Sequence, residues 1–255
     1  MKLTHHGKMM VAAHRGDSDH FPENTMAAFH AALTAGVDMI ETDVRMTCDG
    51  VLVLMHDKSV DRTTDGTGVV AEMTFARLRT LNAGTVSLPQ MVPTLEELLD
   101  LLRDSGVSLN LEVKEYWDEG NEERSRICVD RCVDLLEQYR MSKSVIFNSF
   151  DAAVLEYIDE KYCGCYRLHG FYPYERMYHV RRSPSEYLYC ACLKEGCPQE
   201  HYAYLLERKI EPWIGPATAP EDLEECFRRG ARLVTSNHPA EDLAVLRKVG
   251  ARWRK

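Results

Sequence analysis

No apolar run in this chain approaches the roughly 18 residues needed to cross a bilayer as a helix. The opening residues, MKLTHHGKMMVAAHRG, lack the long apolar segment and small-residue cleavage site of a secretion signal. A cytoplasmic location is the resulting expectation. Basic residues are also in deficit. With 31 Lys and Arg against 40 Asp and Glu, the net charge is −9, and no long basic cluster is present. That argues against a nucleic-acid partner. An anionic substrate would have to be met by a local positive site rather than by the overall field. No glycine-rich phosphate loop follows the first strand-like run, which weighs against a doubly wound nucleotide fold. Cysteine is not scarce, but its pattern is uninformative. Nine residues are scattered, an odd number. The pairs Cys163-x-Cys165 and Cys190-x-Cys192, with Cys197, are tighter than the usual structural zinc spacing of roughly two to four intervening residues. Reduced thiols are expected, not disulfides or zinc.

What is present is a core-forming composition, 45% apolar and 28% charged, over 255 residues. Strand-like and helix-like runs alternate. Strands are predicted over 9–14, 39–44, 51–56, 108–114, 144–150, 210–215 and 231–236. Helices are predicted over 22–36, 94–106, 121–141, 151–162, 220–230 and 239–250. Asn24 or Thr25 can cap the first helix, and Gly36 fits its end. An eighth strand must fall within 163–195. The rhythm predicts a parallel sheet with crossover helices, closed as a (β/α)8 barrel, in a single domain spanning 1–255. Residues 57–93 are too long for an unstructured connection. They are read as a small inserted cap above the C-terminal ends of the strands. Segment 157–204 holds ten of the twelve tyrosines and five of the nine cysteines. It is either aromatic packing or a substrate-facing wall.

Ionisable residues collect at strand ends. In "IETDVRMTCDGVLVLMHD" (40–57), Glu41 and Asp43 lie two apart, share a face and have Cα atoms roughly 7 Å apart. Glu112 and Lys114 repeat that spacing. His14 ends the first strand, Arg15 follows it, and His56 ends the run "VLVLM". In a barrel these ends converge on one mouth. Three carboxylates cannot be buried together uncompensated. Lys114 and Arg15 offset part of the charge, and a divalent cation would offset the rest. Oxygen ligands favour Mg²⁺, Ca²⁺ or Mn²⁺ over zinc. The histidines are then free to exchange protons near neutral pH. The set suits a phosphodiester: positive groups stabilise the non-bridging oxygens, one histidine deprotonates the nucleophile, and the other protonates the leaving alkoxide. Asp57 could orient His56 or merely begin the cap.

These residues resemble the glycerophosphodiester phosphodiesterases. "AHRGDSDHFPENTMAAFHAAL" is similar to that family's HRG…PENT..AF opening. "GVDMIETDVRMTCDGVLVLMHDKSVDRTTDGTG" is similar to its G.D.IE.DV..T.DG..V..HD….RTT.G.G run. "VPTLEELLDLL" and "LNLEVK" match later motifs. The likeness is nearly continuous over 10–115 and fades beyond 150. It implies a TIM barrel with an inserted cap, and hydrolysis of a small-molecule glycerophosphodiester to glycerol 3-phosphate and an alcohol. It implies one divalent cation, Mg²⁺ or Ca²⁺ with Mn²⁺ possible, on Glu41, Asp43 and Glu112. It further implies His14 and His56 as the acid–base pair and Arg15 and Lys114 as phosphate contacts. Two motifs depart from the family. "PWIGPAT" (212–218) keeps an aromatic, Trp213, a candidate substrate contact, but loses the polar residue after it. "TSNHP" (235–239) has Ser236 or Asn237 where the family carries an acid. A lysophospholipase D, a cyclising phosphodiester lyase and a non-catalytic phosphodiester-binding barrel are the alternatives for the same groups. Oligomeric state is not encoded in any of these motifs.

Overall fold

The computed structural model describes residues 7–117, 120–217 and 222–251. Residues 1–6, Thr218, and Pro220 and Glu221 at the start of the helix predicted over 220–230 lie outside them. Nine strands form one sheet: β1 (Met10–His14), β2 (Met39–Met46), β3 (Leu52–Leu54), β4 (Ser108–Val113), β5 (Val145–Asn148), β6 (Arg167–Phe171), β7 (Cys190–Leu193), β8 (Glu211–Ala217) and β9 (Leu233–Ser236). Their order is β1-β9-β8-β7-β6-β5-β4-β2-β3, and β1 also pairs with β2. The closing pair turns eight parallel strands into a barrel, as the alternating pattern predicts. The helices are α1 (Met26–Ala35), α2 (Phe75–Leu78), α3 (Leu95–Leu102), α4 (Glu122–Gln138), α5 (Ala152–Lys161), α6 (Gln199–Glu207), α7 (Asp222–Arg228) and α8 (Pro239–Lys248). No helix among the described residues is long and apolar enough to cross a membrane.

Two strand expectations are corrected. The run 51–56 is not a barrel strand. Its ordered part, β3, lies antiparallel on β2, with Val44 opposite Leu54 and Met46 opposite Leu52. The barrel recovers its count of eight because 163–195 holds two strands, β6 and β7, rather than one. The apolar run misleads because a buried strand looks the same whether it pairs inside a barrel or on its rim. Helix boundaries also tighten. Thr25, not Asn24, caps α1, accepting from the Ala28 N–H at 3.3 Å. α3 starts on a reciprocal Thr94–Glu97 capping box and buries Leu95, Leu98, Leu99 and Leu102, one face at helical spacing.

Most of the core lies between the sheet and the helices, where Phe29, Ile40, Leu98, Leu111, Val133, Phe147, Leu205 and Ile214 are buried. The lumen has its own apolar floor of Ala12, Met39, Ile146, Cys190, Trp213 and Leu233. Side chains two further along a strand point the same way. On that inward face, Ala12 is followed by His14, Met39 by Glu41 and Asp43, Ile146 by Asn148, and Leu233 by Thr235. The lumen is therefore apolar low down and polar towards the C-terminal ends.

The cap has a small core of its own: Val53, Met55, Val60, Val70, Leu78, Leu81, Ala83 and Val92. It rests on β3, and β3 rests on the part of β2 that projects past the barrel rim. One glycine is dictated by this geometry. Gly16, between the mouth and α1, has φ +83°, and a Cβ there would lie 2.6 Å from the Ala28 backbone.

Candidate active site

His14 ends β1, and its Nδ1 lies 2.6 Å from Asn237 Oδ1, just past β9. Its Nε2 lies 3.9 Å from Glu41 Oε2. Burial, reinforced by the neighbouring Arg15, pushes His14 down to about 4. It is a neutral imidazole at pH 7. Arg15 sits at φ +57°. Its backbone N–H donates to Glu41 Oε2 at 3.0 Å, and its Nη1 donates to Glu23 Oε1 at 2.9 Å. Its Nε lies 3.2 Å from Asp43 Oδ2.

Glu41, Asp43 and Glu112 bring one carboxylate oxygen each within 4.8 Å of one another, all buried. The register explains the convergence: Asp43 lies opposite Glu112 across the β2–β4 pair. Lys114 is buried between them, with Nζ donating to Glu112 Oε1 at 2.5 Å and lying 3.1 Å from Asp43 Oδ1. Asp43 Oδ2 also accepts from Asn24 Nδ2 at 2.9 Å, and Asn24 Oδ1 accepts from Thr42 at 2.7 Å. Burial raises Glu41 and Glu112, with the nearby acids adding to the rise. Burial opposes ionisation of Asp43 too, but Lys114 and Arg15 outweigh it and hold Asp43 at about 2.

His56 belongs to the start of the cap. Its Nδ1 lies 2.6 Å from Asp57 Oδ1, so Asp57 both begins the cap and orients the ring. Arg62 Nε donates to Asp57 Oδ2 at 2.6 Å. The same guanidinium holds Glu23 through two bonds of 2.7 and 2.8 Å. Arg62, foremost, keeps Asp57 well below the usual carboxylate range. Arg45 anchors the His56 carbonyl from below, at 2.8 and 3.0 Å. A continuous chain of charges thus joins Asp43, Arg15, Glu23, Arg62, Asp57 and His56.

A cavity of about 420 Å³ opens over this centre. His14, Arg15, Glu41, His56, Glu112 and Lys114 line its charged end. Asn148, His169 and Thr235 line it deeper in the lumen, and Phe150, Phe171 and Tyr172 form an apolar wall. Phe150 and Phe171 stack with ring centroids 3.5 Å apart. The seven residues expected to carry proton transfer, phosphate contact and metal binding are thus brought together. Trp213 is not brought to the cavity wall. It is fully buried beneath it, with Nε1 donating to Thr235 at 2.7 Å and its ring 4.2 Å from that of His169. Of the tyrosine-rich segment, Tyr172 reaches the cavity, whereas Tyr174 and Tyr204 pack around it and Tyr157 and Tyr162 hold Asp130. The segment is mainly packing. All nine cysteines are free, and none joins a cluster of metal-ligating groups among the described residues.

Glu23, Asn24, Arg62, Asn148, His169 and Asn237 were not singled out as site residues from sequence. Asn24 reads equally well as a helix cap, and Glu23 and Arg62 as solvated loop charges. For Asn148 the strand alternation carried a signal, since it lies inward two residues after Ile146.

The donor set fits a hard divalent cation. Two cationic side chains face three buried acids, and every donor is a carboxylate oxygen. Asp43 Oδ1 is buried and has no hydrogen-bond partner among the described residues, although Lys114 is near. Glu41 and Glu112, displaced towards protonation, would be returned to carboxylates by a bound cation.

The Glycerophosphoryl diester phosphodiesterase family model matches residues 14–189. A glycerophosphodiester phosphodiesterase of Caldanaerobacter subterraneus is 30% identical over 95% of this chain and all of its own length. The structure of an Oleispira antarctica phosphodiesterase, in complex with the product sn-glycerol-3-phosphate, superposes with a TM-score of 0.80. It is 23% identical, with 94% of this chain and 97% of that one covered. A glycerophosphodiester phosphodiesterase of Thermotoga maritima superposes with a TM-score of 0.73 at 25% identity, covering 93% and 97% of the two chains. With the barrel, the capped mouth and the family match in agreement, this chain belongs to the glycerophosphodiester phosphodiesterase family.

Proposed function

We propose that the protein hydrolyses a glycerophosphodiester to glycerol 3-phosphate and an alcohol, with His14 and His56 carrying the protons. The observation that supports this most is the pairing of two oriented histidines with Arg15, Lys114 and three clustered acids around one cavity. A divalent cation held by Glu41, Asp43 and Glu112 would supply positive charge for the non-bridging oxygens. Arg15 and Lys114 hold the acids in place and add positive potential at the same end. With Asn237 Oδ1 accepting from Nδ1, His14 keeps its lone pair on Nε2 and takes a proton from the attacking water, whose oxygen becomes part of the phosphate as the alkoxide leaves. His56 has an anion, Asp57, behind Nδ1. Burial lowers His56 from its ordinary value, while Asp43 and Asp57 pull it back towards imidazolium; a carboxylate supports that form better than a neutral amide does, so His56 is assigned to give its Nε2 proton to the leaving alkoxide.

Purified wild type, His14→Ala and His56→Ala are to be assayed on a panel of glycerophosphodiesters, with products read by phosphorus NMR. Each variant should lose on the order of 10²-fold or more in rate. Wild-type rates in both variants would sink the assignment. Accumulation of a cyclic phosphate as the final product would move the reading to a lyase.

A further inference from the structure

Beyond the acid cluster and its two cations, two polar atoms of cavity-lining residues have no hydrogen-bond partner among the described residues. They are Nε2 of His169 and Oδ1 of Asn148. Asn148 is 3% exposed and His169 2%. They sit on adjacent strands in direct register, Asn148 opposite His169, and Asn148 is in turn opposite Glu112. One row of inward side chains therefore runs from the acid cluster, through Asn148, to His169. His169 is fixed there. Its ring lies between Trp213, 4.2 Å away, and Phe171, 5.6 Å away, and its Nδ1 lies 3.2 Å from the Asn110 amide. With Nδ1 engaged by Asn110 in either tautomer, Nε2 is left for the cavity. Burial alone pushes the imidazole down to about 3, so it stays neutral. A neutral, oriented nitrogen beside an amide oxygen, with aromatic rings around it, suits an uncharged hydroxyl group and neither a phosphate nor an ammonium.

Resting on the hydrolase reading above, we propose that His169 and Asn148 form the subsite for the glycerol hydroxyls of the substrate. Depth supports the glycerol rather than the alcohol head group. The row lies next to Glu112 and below the aromatic wall, where a three-carbon polyol fits, while larger groups face the open rim. A hydroxyl donating to Asn148 Oδ1 and bonded to His169 Nε2 satisfies both buried atoms. A substrate without hydroxyls leaves them unmet, and such a buried polar group is penalised strongly enough to discriminate.

The test compares His169→Leu and Asn148→Ala with wild type on a glycerophosphodiester and on bis(p-nitrophenyl) phosphate, which has no glycerol. Binding of glycerol 3-phosphate and of inorganic phosphate is measured alongside. Each variant should lose about 10-fold or more in kcat/KM on the glycerophosphodiester and in affinity for glycerol 3-phosphate. Rates on the nitrophenyl ester and affinity for phosphate should stay within about 2-fold. Equal losses on both ester types, or none on either, overturn the subsite. Should the variants fold poorly, the wild-type protein still decides. The imidazole nitrogen resonance of His169 should shift with glycerol 3-phosphate and not with phosphate, and no difference between the two refutes the proposal. Failure of the hydrolase reading looks different: the wild type then turns over neither ester.

Discussion

His14 and His56 are given unlike partners, and the difference has a measurable consequence. Behind His14 stands a neutral amide, Asn237; behind His56 stands the carboxylate of Asp57. His14 must be neutral to accept a proton, and burial with Arg15 holds it near 4. Asn237→Asp places a negative charge on Nδ1 and favours the imidazolium. The acid limb of the kcat/KM profile should then move to higher pH, as a rate–pH series would show; an unmoved limb would mean that His14 is not the base. His169 gives a second test, on stability. Its folded-state pKa, about 3, lies below the ordinary 6.5, so the unfolded chain takes the proton first. The stability that neutral His169 supports is complete above pH 6.5 and is lost as the pH falls from there towards 3, at up to about 1.4 kcal/mol per pH unit. His169→Phe should therefore show a shallower fall in thermal midpoint than wild type between pH 7 and pH 4, followed by circular dichroism. The residues that were legible in sequence are those whose chemistry is out of place on a strand. Glu41, Asp43 and Glu112 in apolar runs stand out. Glu23, Arg62 and Asn237 lie in polar loops, where a charge or amide needs no explanation, and their roles emerge only from the bonds they make in three dimensions.

At the scale of elements, the strand–helix alternation was enough for the barrel, because parallel strands joined by helices have few closed arrangements. It could not separate β3 from the barrel strands. A three-residue apolar run carries no information about the direction of its partner. The distinction matters for the site, because β3 is what brings the cap, and with it His56, over the acids. Leu78 is fully buried in the cap core, far in sequence from the proposed chemistry. Leu78→Ala should destabilise the cap by about 2–5 kcal/mol, the usual range for a buried leucine. Hydrogen exchange should rise across 57–93 before it rises in the barrel strands. The rate should fall more than substrate affinity, since His56 is displaced while Arg15 and Lys114 stay at the ends of β1 and β4. Equal exchange in cap and barrel would show that the cap is not a separate unit.

For the molecule as a whole, the burial of three acids around two cationic side chains makes stability a direct test of the divalent cation proposed for Glu41, Asp43 and Glu112. Removing divalent ions with a chelator should abolish activity and lower the thermal midpoint. Restoring Mg²⁺, Ca²⁺ and Mn²⁺ one at a time should recover both, and the ion that restores activity best at the lowest concentration identifies the preferred one. A chelated protein with unchanged rate would overturn the metal reading. Glu41→Gln lowers the local negative charge, so the chelated variant should be at least as stable as chelated wild type, while its response to added ion weakens.

The bond between His14 and Asn237 joins positions 223 residues apart and links the ends of the first strand, β1, and the last, β9, which are neighbours in the barrel. During synthesis His14, Glu41, Asp43, His56 and Glu112 all emerge before β5. His14 lacks its partner Asn237 until the last strand has arrived. A nascent or truncated chain that stops short of residue 237 carries all the reactive groups and no means to orient the first of them. On the roles proposed for these residues, competence should follow ring closure rather than the order in which the chemistry is encoded, and a chain truncated before residue 237 should be inactive.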